Sequence, residues 1–121
     1  MRARRPPHPL EHHPSFRAVI AAAPPLAELA TRMRKNDRAP EASDLVGTLA
    51  LACGDLADGF AAPPESRKRI VAHQRAWICV REIDRAVTAA ARRRLAPPEI
   101  VKRAQRAIDR ADVLIGALLP A

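Results

Sequence analysis

Aromatic residues are almost absent from this chain, which has no tyrosine, two phenylalanines and one tryptophan among 121 residues. Proteins that hold single-stranded nucleic acid by base stacking need several aromatic rings, so a stacking platform is not expected here. The residues that favour β-strands are scarce, whereas alanine and arginine, which favour helices, are abundant. The composition therefore predicts an all-α protein, and the length fits one domain.

Cysteine is also scarce, and so are long apolar runs. Cys53 and Cys79 lie in separate apolar stretches, and no CxxC or Cys/His spacing typical of zinc ligands occurs. We expect two buried free thiols in a reducing compartment. No apolar run approaches membrane-spanning length, and prolines and histidines follow the first charges where a secretory leader would be apolar. The sequence predicts a cytoplasmic protein without cofactor, metal or membrane contact.

Catalytic motifs are missing as well. No P-loop, GxSxG or HExxH pattern occurs. His73 is the one histidine after residue 14, and its neighbours Gln74 and Arg75 form no triad. Asp55 and Asp58 lie three residues apart, but the ExxH pairs that accompany carboxylates in di-metal bundles are absent. We therefore expect a protein that is not an enzyme.

The chain divides into a tail and one helical domain. Residues 1–14, MRARRPPHPLEHHP, combine four prolines with basic residues and histidines and show no apolar periodicity. This composition predicts a disordered basic tail. Residues 15–121 show apolar residues at helical spacing and predict a four-helix bundle. The predicted helices span about 15–36, 44–61, 66–94 and 98–119.

Capping residues and prolines set these boundaries. Ser15, Ser43 and Ser66 are the expected N-caps of the first three helices, and Pro98 is the expected first residue of the fourth. Pro24-Pro25 either kinks the first helix or marks its start. The predicted linkers, 37–42, 62–65 and 95–97, are short. Short connections favour an antiparallel up-down-up-down arrangement of neighbouring helices.

The net charge of +8 comes from 21 basic and 13 acidic residues and favours an anionic partner, with nucleic acid the first candidate. If the helix directions alternate, four helix termini meet at one end of the bundle. These are the end of the first helix, the start of the second, the end of the third and the start of the fourth. We predict that this end of the bundle binds phosphate groups. Its nine basic residues are Arg32, Arg34, Lys35, Arg38, Arg92, Arg93, Arg94, Lys102 and Arg103.

Two further features bear on partners. Arg67, Lys68 and Arg69 occupy the first turn of the third helix, where cations oppose the helix dipole, and form a second candidate phosphate site. Trp77 lies off the main apolar stripe, one heptad after Ile70. The pair either broadens the core stripe or anchors an oligomer interface, where tryptophan is enriched.

Three stretches together resemble a known family: LALACGDLADGF (49–60), AWICVREI (76–83) and LAPPEI (95–100). They are similar to the four-helix-bundle family of ribosomal-RNA intervening-sequence proteins and to its relative, the accessory variability determinant of diversity-generating retroelements. That family closes its second helix with an Asn-Ile-Ala-Glu-Gly-like turn, for which this chain has Asp55 to Gly59. Cys79 stands where the family has serine in the third helix.

The resemblance implies a positively charged homopentameric barrel of bundles that binds nucleic acid and, in retroelements, the reverse transcriptase. It implies no catalysis. We therefore expect a non-enzymatic accessory protein that binds RNA or DNA through the phosphate backbone. The alternative is a protein-interaction scaffold of the same fold, in which the arginines pair with acidic partners and nucleic acid has no direct role.

Overall fold

The computed structural model describes residues 9–120, and within that range all regular secondary structure is helical, as predicted. A short 3-10 helix, Pro9–His12, precedes four α-helices. These are α1 (Pro14–Lys35), α2 (Ala39–Ala61), α3 (Arg67–Arg92) and α4 (Pro98–Gly116).

The four α-helices pack in a ring, because each contacts the next one in the chain and α4 also contacts α1. The core combines leucine, isoleucine and valine with many alanines. Leu26 and Leu29 of α1, Leu56 of α2, Ile83 of α3 and Ile108 of α4 are almost fully buried. Alanines fill most of the remaining buried positions, which allows the helices to approach closely but buries little apolar area per residue. The arrangement is a four-helix bundle.

The N-terminal boundary of the bundle differs from the prediction. The residue that precedes α1 is His13, and Pro14 begins the helix in the position that tolerates a missing N–H. Ser15, the predicted cap, is buried inside the first turn, and its hydroxyl has no hydrogen-bond partner among residues 9–120. The Pro9–His12 turn and Pro14 fall within the range predicted as a tail, of which residues 1–8 lie outside the described residues.

Helix α1 continues through Pro24 and Pro25, so the alternative that it starts at Pro25 is wrong. Each proline removes one N–H from the i to i−4 ladder. The carbonyls that lose their partners belong to Ile20 and Ala21, and both residues are exposed. Water can therefore replace the two missing hydrogen bonds, which explains why the helix tolerates the pair.

The start of α2 was predicted five residues too late. The helix begins at Ala39 with Pro40 in its first turn, and Ser43 lies inside it rather than at its cap. Proline favours this position because its fixed φ suits the helix and its N–H is not needed there. The connection from α1 is consequently only three residues long, 36–38.

The boundaries of α3 and α4 agree more closely with the sequence. Ser66 caps α3 as predicted, since its Oγ accepts a hydrogen bond from the Arg69 backbone N–H at 3.2 Å. Pro98 begins α4, also as predicted. Helix α3 ends at Arg92, two residues before the predicted end at 94. Helix α4 ends at Gly116, three residues before the predicted end at 119.

Candidate nucleic-acid interface

A hydrogen bond joins the corner after α1 to the corner after α3. The side-chain amide of Asn36 donates to the backbone oxygen of Arg32 at 3.0 Å and to that of Leu95 at 2.8 Å. The bond to Leu95 connects residues 59 apart in the chain. It places the basic segment that ends α1 beside the one that ends α3.

Both corners have the same backbone structure. At the end of α1, the N–H of Asp37 donates to the oxygen of Arg34 and the N–H of Arg38 donates to that of Met33. At the end of α3, Arg94 and Leu95 donate in the same pattern to Ala91 and Ala90. These are Schellman motifs, which satisfy the last carbonyls of a helix.

The residue in the left-handed position of each motif is not glycine. Asp37 has a φ of 58° and Arg94 has a φ of 55°. Left-handed backbone costs roughly 1–2 kcal/mol for a residue with a side chain, so glycine would be the less costly choice at both positions. The chain therefore has an acidic and a basic side chain at corners where backbone energetics alone favours neither.

All nine predicted basic residues at this end are exposed. Two have acidic partners: Arg38 with Glu41 at 3.8 Å, and Arg103 with Glu28 of α1 at 3.4 Å. The other seven have no carboxylate within 4.0 Å among residues 9–120. We call these nine residues the basic end. Its charge is largely uncompensated within the described chain, which favours anions.

A shallow groove crosses the basic end between α3 and α4. Its walls carry the cations Arg94 and Lys102, and its lining includes Ala96, Pro98 and Val101. A lining that combines two cations with apolar side chains could accept a phosphate together with the sugar that carries it. The sequence placed Arg94 and Lys102 at one end but gave no signal for the groove.

The second predicted group, Arg67 to Arg69, divides into two parts. Arg67 and Lys68 are exposed and line a groove that also contains Asp55 and Asp58. Burial raises the pKa of Asp55, Arg75 opposes that shift and Asp58 adds to it. The mixture of charges makes this groove a weaker anion site than the basic end.

The structure gives Arg69 a different role from the phosphate contact predicted for it. Its Nε donates to the oxygen of Gly59 at 2.9 Å, and its Nη2 donates to the oxygens of Phe60 and Ala62, both at 3.0 Å. These carbonyls belong to the C-terminal end of α2, where the helix leaves acceptors without partners. The guanidinium therefore caps α2 from the neighbouring helix.

The interface candidates Trp77 and Ile70 are both half-buried. Trp77 packs against the core, and the guanidinium of Arg81 lies over its ring at 4.7 Å from the centroid. Its Nε1 is buried and has no hydrogen-bond partner among residues 9–120. Ile70 lines a groove with Phe60 and Leu118. This placement favours the core-stripe alternative for Trp77, and the oligomer contact stays a prediction.

The two thiols and the histidine of the domain do not form a metal site within the described chain. Burial raises the pKa of both thiols, Cys53 and Cys79, and so favours their protonated form. No group of three or more histidine, cysteine or acidic side chains could hold a metal ion within residues 9–120. His73 is only 3% exposed and packs against Gly59. The sequence alone had indicated no role for it.

Comparisons with known proteins do not place the chain in a family. It matches no protein-family model, no curated protein and no solved structure. The resemblance to the ribosomal-RNA intervening-sequence family therefore stays a prediction. None of the helices within residues 9–120 has the length and apolar character needed to cross a membrane.

Proposed function

We propose that the protein is a non-enzymatic, homo-oligomeric scaffold that binds the phosphate backbone of RNA or DNA through its basic end. The observation that carries this proposal is the Asn36 hydrogen bond to Leu95, which holds two basic corners together. Seven of the nine cations there have no acidic partner in the described chain. A polyanion that neutralises them would release its condensed counterions, which favours binding.

Backbone contact explains the composition better than base readout does. The three aromatic residues of the chain, Phe16, Phe60 and Trp77, are all half-buried, so none offers an open stacking surface. Arginine forms bidentate hydrogen bonds with phosphate oxygens, and five of the seven unpaired cations are arginines. We therefore expect salt-sensitive binding with little dependence on base sequence.

The oligomeric part of the proposal rests on an uncharged surface on α1 and α2. Between Ile20 and Thr31 of α1 the one charged residue is Glu28, which is paired with Arg103 of α4, and no residue is charged between Val46 and Gly54 of α2. The exposed faces of α3 and α4 carry many arginines. Two strongly basic chains repel each other, so copies would associate through this surface. The short loops favour an antiparallel order of consecutive helices, and the pentamer comes from the family resemblance.

The same uncharged surface is the observation that favours the second candidate, a protein-interaction scaffold. A retroelement-type reverse transcriptase is the protein partner that the resemblance implies. The two candidates predict different results in one experiment, because only the first requires the protein to bind RNA or DNA.

The test compares two variants with equal loss of charge. The first replaces Arg92, Arg93 and Lys102 by glutamine at the basic end. The control replaces Arg85, Arg106 and Arg110 by glutamine; these exposed residues lie roughly 5–11 Å along α3 and α4 from the nearest member of the basic end. Binding to a labelled RNA hairpin and to a DNA duplex of matching sequence is measured by fluorescence anisotropy between 50 and 200 mM KCl.

We expect the basic-end variant to bind at least tenfold more weakly and to reduce the salt slope by about 2–3, at roughly 0.9 per lost contact with a duplex. The control variant should show a much smaller loss of affinity and a much smaller reduction of the salt slope. Equal losses in the two variants would show that only net charge matters. Absence of wild-type binding at low salt would leave the protein-interaction scaffold as the better explanation.

A further inference from the structure

Three rings and a guanidinium form a cluster where α1 starts, about 33 Å along α1 from the basic end. The imidazole of His13 lies flat on the Phe60 ring, with centroids 3.6 Å apart and planes 11° from parallel. His73 packs on Phe60 at 4.7 Å with its plane tilted by 60°. We call His13, Phe60, Arg69 and His73 the ring cluster. It joins the start of α1 to the end of α2 and to α3.

A fixed positive charge lies within this cluster. Arg69 is held by its three hydrogen bonds to the end of α2, and its guanidinium carbon is 5.7 Å from the Phe60 centroid. Moving it away from the rings would leave α2 carbonyls without partners. Any charge gained by His13 or His73 would therefore repel a cation that cannot move away without breaking the cap.

His73 has no acceptor for an additional proton on its Nε2. The residue is 3% exposed, and Nε2 is buried without a hydrogen-bond partner among residues 9–120. The ring lies so close to Gly59 that a Cβ at that position would overlap Cδ2 and Nε2. A charged imidazole carries N–H groups on both nitrogens. Protonation would thus create a buried donor with nothing to receive it.

The neighbouring elements supply almost no compensating negative charge. The segment before α1 contributes His12 and the exposed Glu11, α3 contributes Arg69, and the residues after α4 contribute the uncharged Leu118 and Leu119. Glu65, which is exposed, is the one carboxylate that lines the same groove as His73. The surroundings therefore favour neutral imidazoles.

The directions of the two pKa shifts agree with this geometry. Burial lowers the pKa of His13, and Arg69 and His12 lower it further. Burial also lowers the pKa of His73, with additional effects of Arg69 and His13. The pKa of a histidine in an unfolded chain is about 6.5. The pKa of each histidine is lower in the folded protein than in the unfolded chain. The packing of the ring cluster is therefore fully stable above about pH 6.5, and it loses stability as the pH falls through the folded pKa.

We propose that the ring cluster is an acid-sensitive latch, which holds the first turns of α1 against α2 at neutral pH and releases them when His13 and His73 become protonated. The basic end, at the other end of α1, is not part of the latch. Mild acid would thus loosen one end of the bundle and uncover Phe60 while the rest of the helices stay packed.

Hydrogen exchange measured by mass spectrometry tests the latch. Protection factors, corrected for the intrinsic effect of pH, are compared between pH 7.5 and 5.0 for residues 12–20 and for α4. We expect the protection of residues 12–20 to fall about tenfold in the wild type, as a protonation coupled to opening requires, and that of α4 to change little. His13→Phe keeps a ring on Phe60 without a titrating group, so its protection should depend far less on pH.

His12→Asn is the matched control, because His12 is exposed and lies outside the ring cluster. It should stay close to the wild type, since His12 contributes least to lowering the pKa of His13. His73→Leu removes the second titrating group and should reduce the pH dependence independently. If His73→Leu does not fold, an NMR titration of the wild-type imidazoles still decides, since two of them should titrate below the unfolded value. An unchanged pH dependence in His13→Phe, or an equal loss of protection in α4, would overturn the proposal.

Discussion

Gly59 of α2 lies directly against the imidazole of His73 of α3. A Cβ at position 59 would overlap the His73 Cδ2 and Nε2 atoms, so no other residue fits there without movement of a buried ring. This contact gives a physical reason for the glycine that ends the DLADG stretch, on which the family resemblance partly rests. The glycine permits close helix approach, and the histidine fills the space that it leaves.

The first prediction concerns this contact. Gly59→Ala should destabilise the protein by up to about 2 kcal/mol, because overpacking costs roughly 1–3 kcal/mol and the gain in helix propensity offsets about 1. Gly47→Ala and Gly54→Ala are the matched controls in the same helix. Nothing lies within 4 Å of a Cβ at either position, so both changes should stabilise by roughly 0.5–1 kcal/mol. Urea unfolding followed by Trp77 fluorescence measures all three.

A double mutant shows whether the imidazole is the cause. In a His73→Ala background the ring is gone, so Gly59→Ala should become neutral or stabilising. If Gly59→Ala costs the same with and without the ring, the contact with His73 does not explain the glycine.

The second prediction separates Arg69 from its neighbours. Arg69→Lys keeps the charge but loses the planar fork that bonds three carbonyls of the α2 end, and it should cost about 1.5–3 kcal/mol of unfolding free energy. Arg67→Lys, at an exposed position two residues earlier, should change stability by less than about 0.5 kcal/mol. Thermal or urea unfolding provides the comparison.

Binding measurements complete that test. Since Nε and Nη2 of Arg69 are already used within the chain, Arg69→Gln, which also removes the charge, should leave the salt slope of nucleic-acid binding unchanged under conditions where the variant is folded. A reduced slope would show that Arg69 contacts phosphate after all, as the sequence alone had suggested.

Local patterns predicted much of the fold but little of the site geometry. The Ser66 cap and Pro98 at the start of α4 follow from preferences that operate within a few residues. The start of α2 was misplaced because Ser43 is a good cap by type, whereas Pro40 and the three-residue corner determine the boundary. The contacts of Asn36 with Leu95 and of Gly59 with His73 join separate helices, and no residue preference in one segment specifies its partner in another.

The third prediction uses the two left-handed corner residues. Asp37→Gly and Arg94→Gly both replace a side chain at positive φ, so each should stabilise the bundle by about 1 kcal/mol. Their effects on nucleic-acid affinity should be opposite, because one removes a negative charge from the basic end and the other a positive charge. Arg94→Gly should also reduce the salt slope by about 0.9 if Arg94 contacts a duplex phosphate.

This pair of variants distinguishes charge from backbone conformation. If Asp37→Gly and Arg94→Gly changed the nucleic-acid affinity in the same direction, corner rigidity rather than charge would govern binding. A loss of stability in Arg94→Gly would show that the arginine side chain supports the fold and is not retained for an anionic partner.

The last prediction concerns assembly. Leu51 of α2 is 64% exposed on the uncharged surface, and Val113 of α4 is 69% exposed outside that surface. If copies associate through α1 and α2, Leu51→Glu should reduce the mass measured by light scattering, because it introduces a charge at a buried contact without a partner. Val113→Glu adds the same charge to an equally exposed residue on the other side of the bundle and should leave the mass unchanged.

Trp77→Phe decides between that surface and the interface suggested by the sequence. Trp77 is half-buried against its own core beneath Arg81, so the change should alter the unfolding free energy but not the oligomeric mass. A lower mass in Trp77→Phe with no effect of Leu51→Glu would place the interface on α3 instead. A monomeric wild type would remove the oligomeric part of the proposed function, while phosphate binding by the basic end would still stand, because its cations all come from one chain.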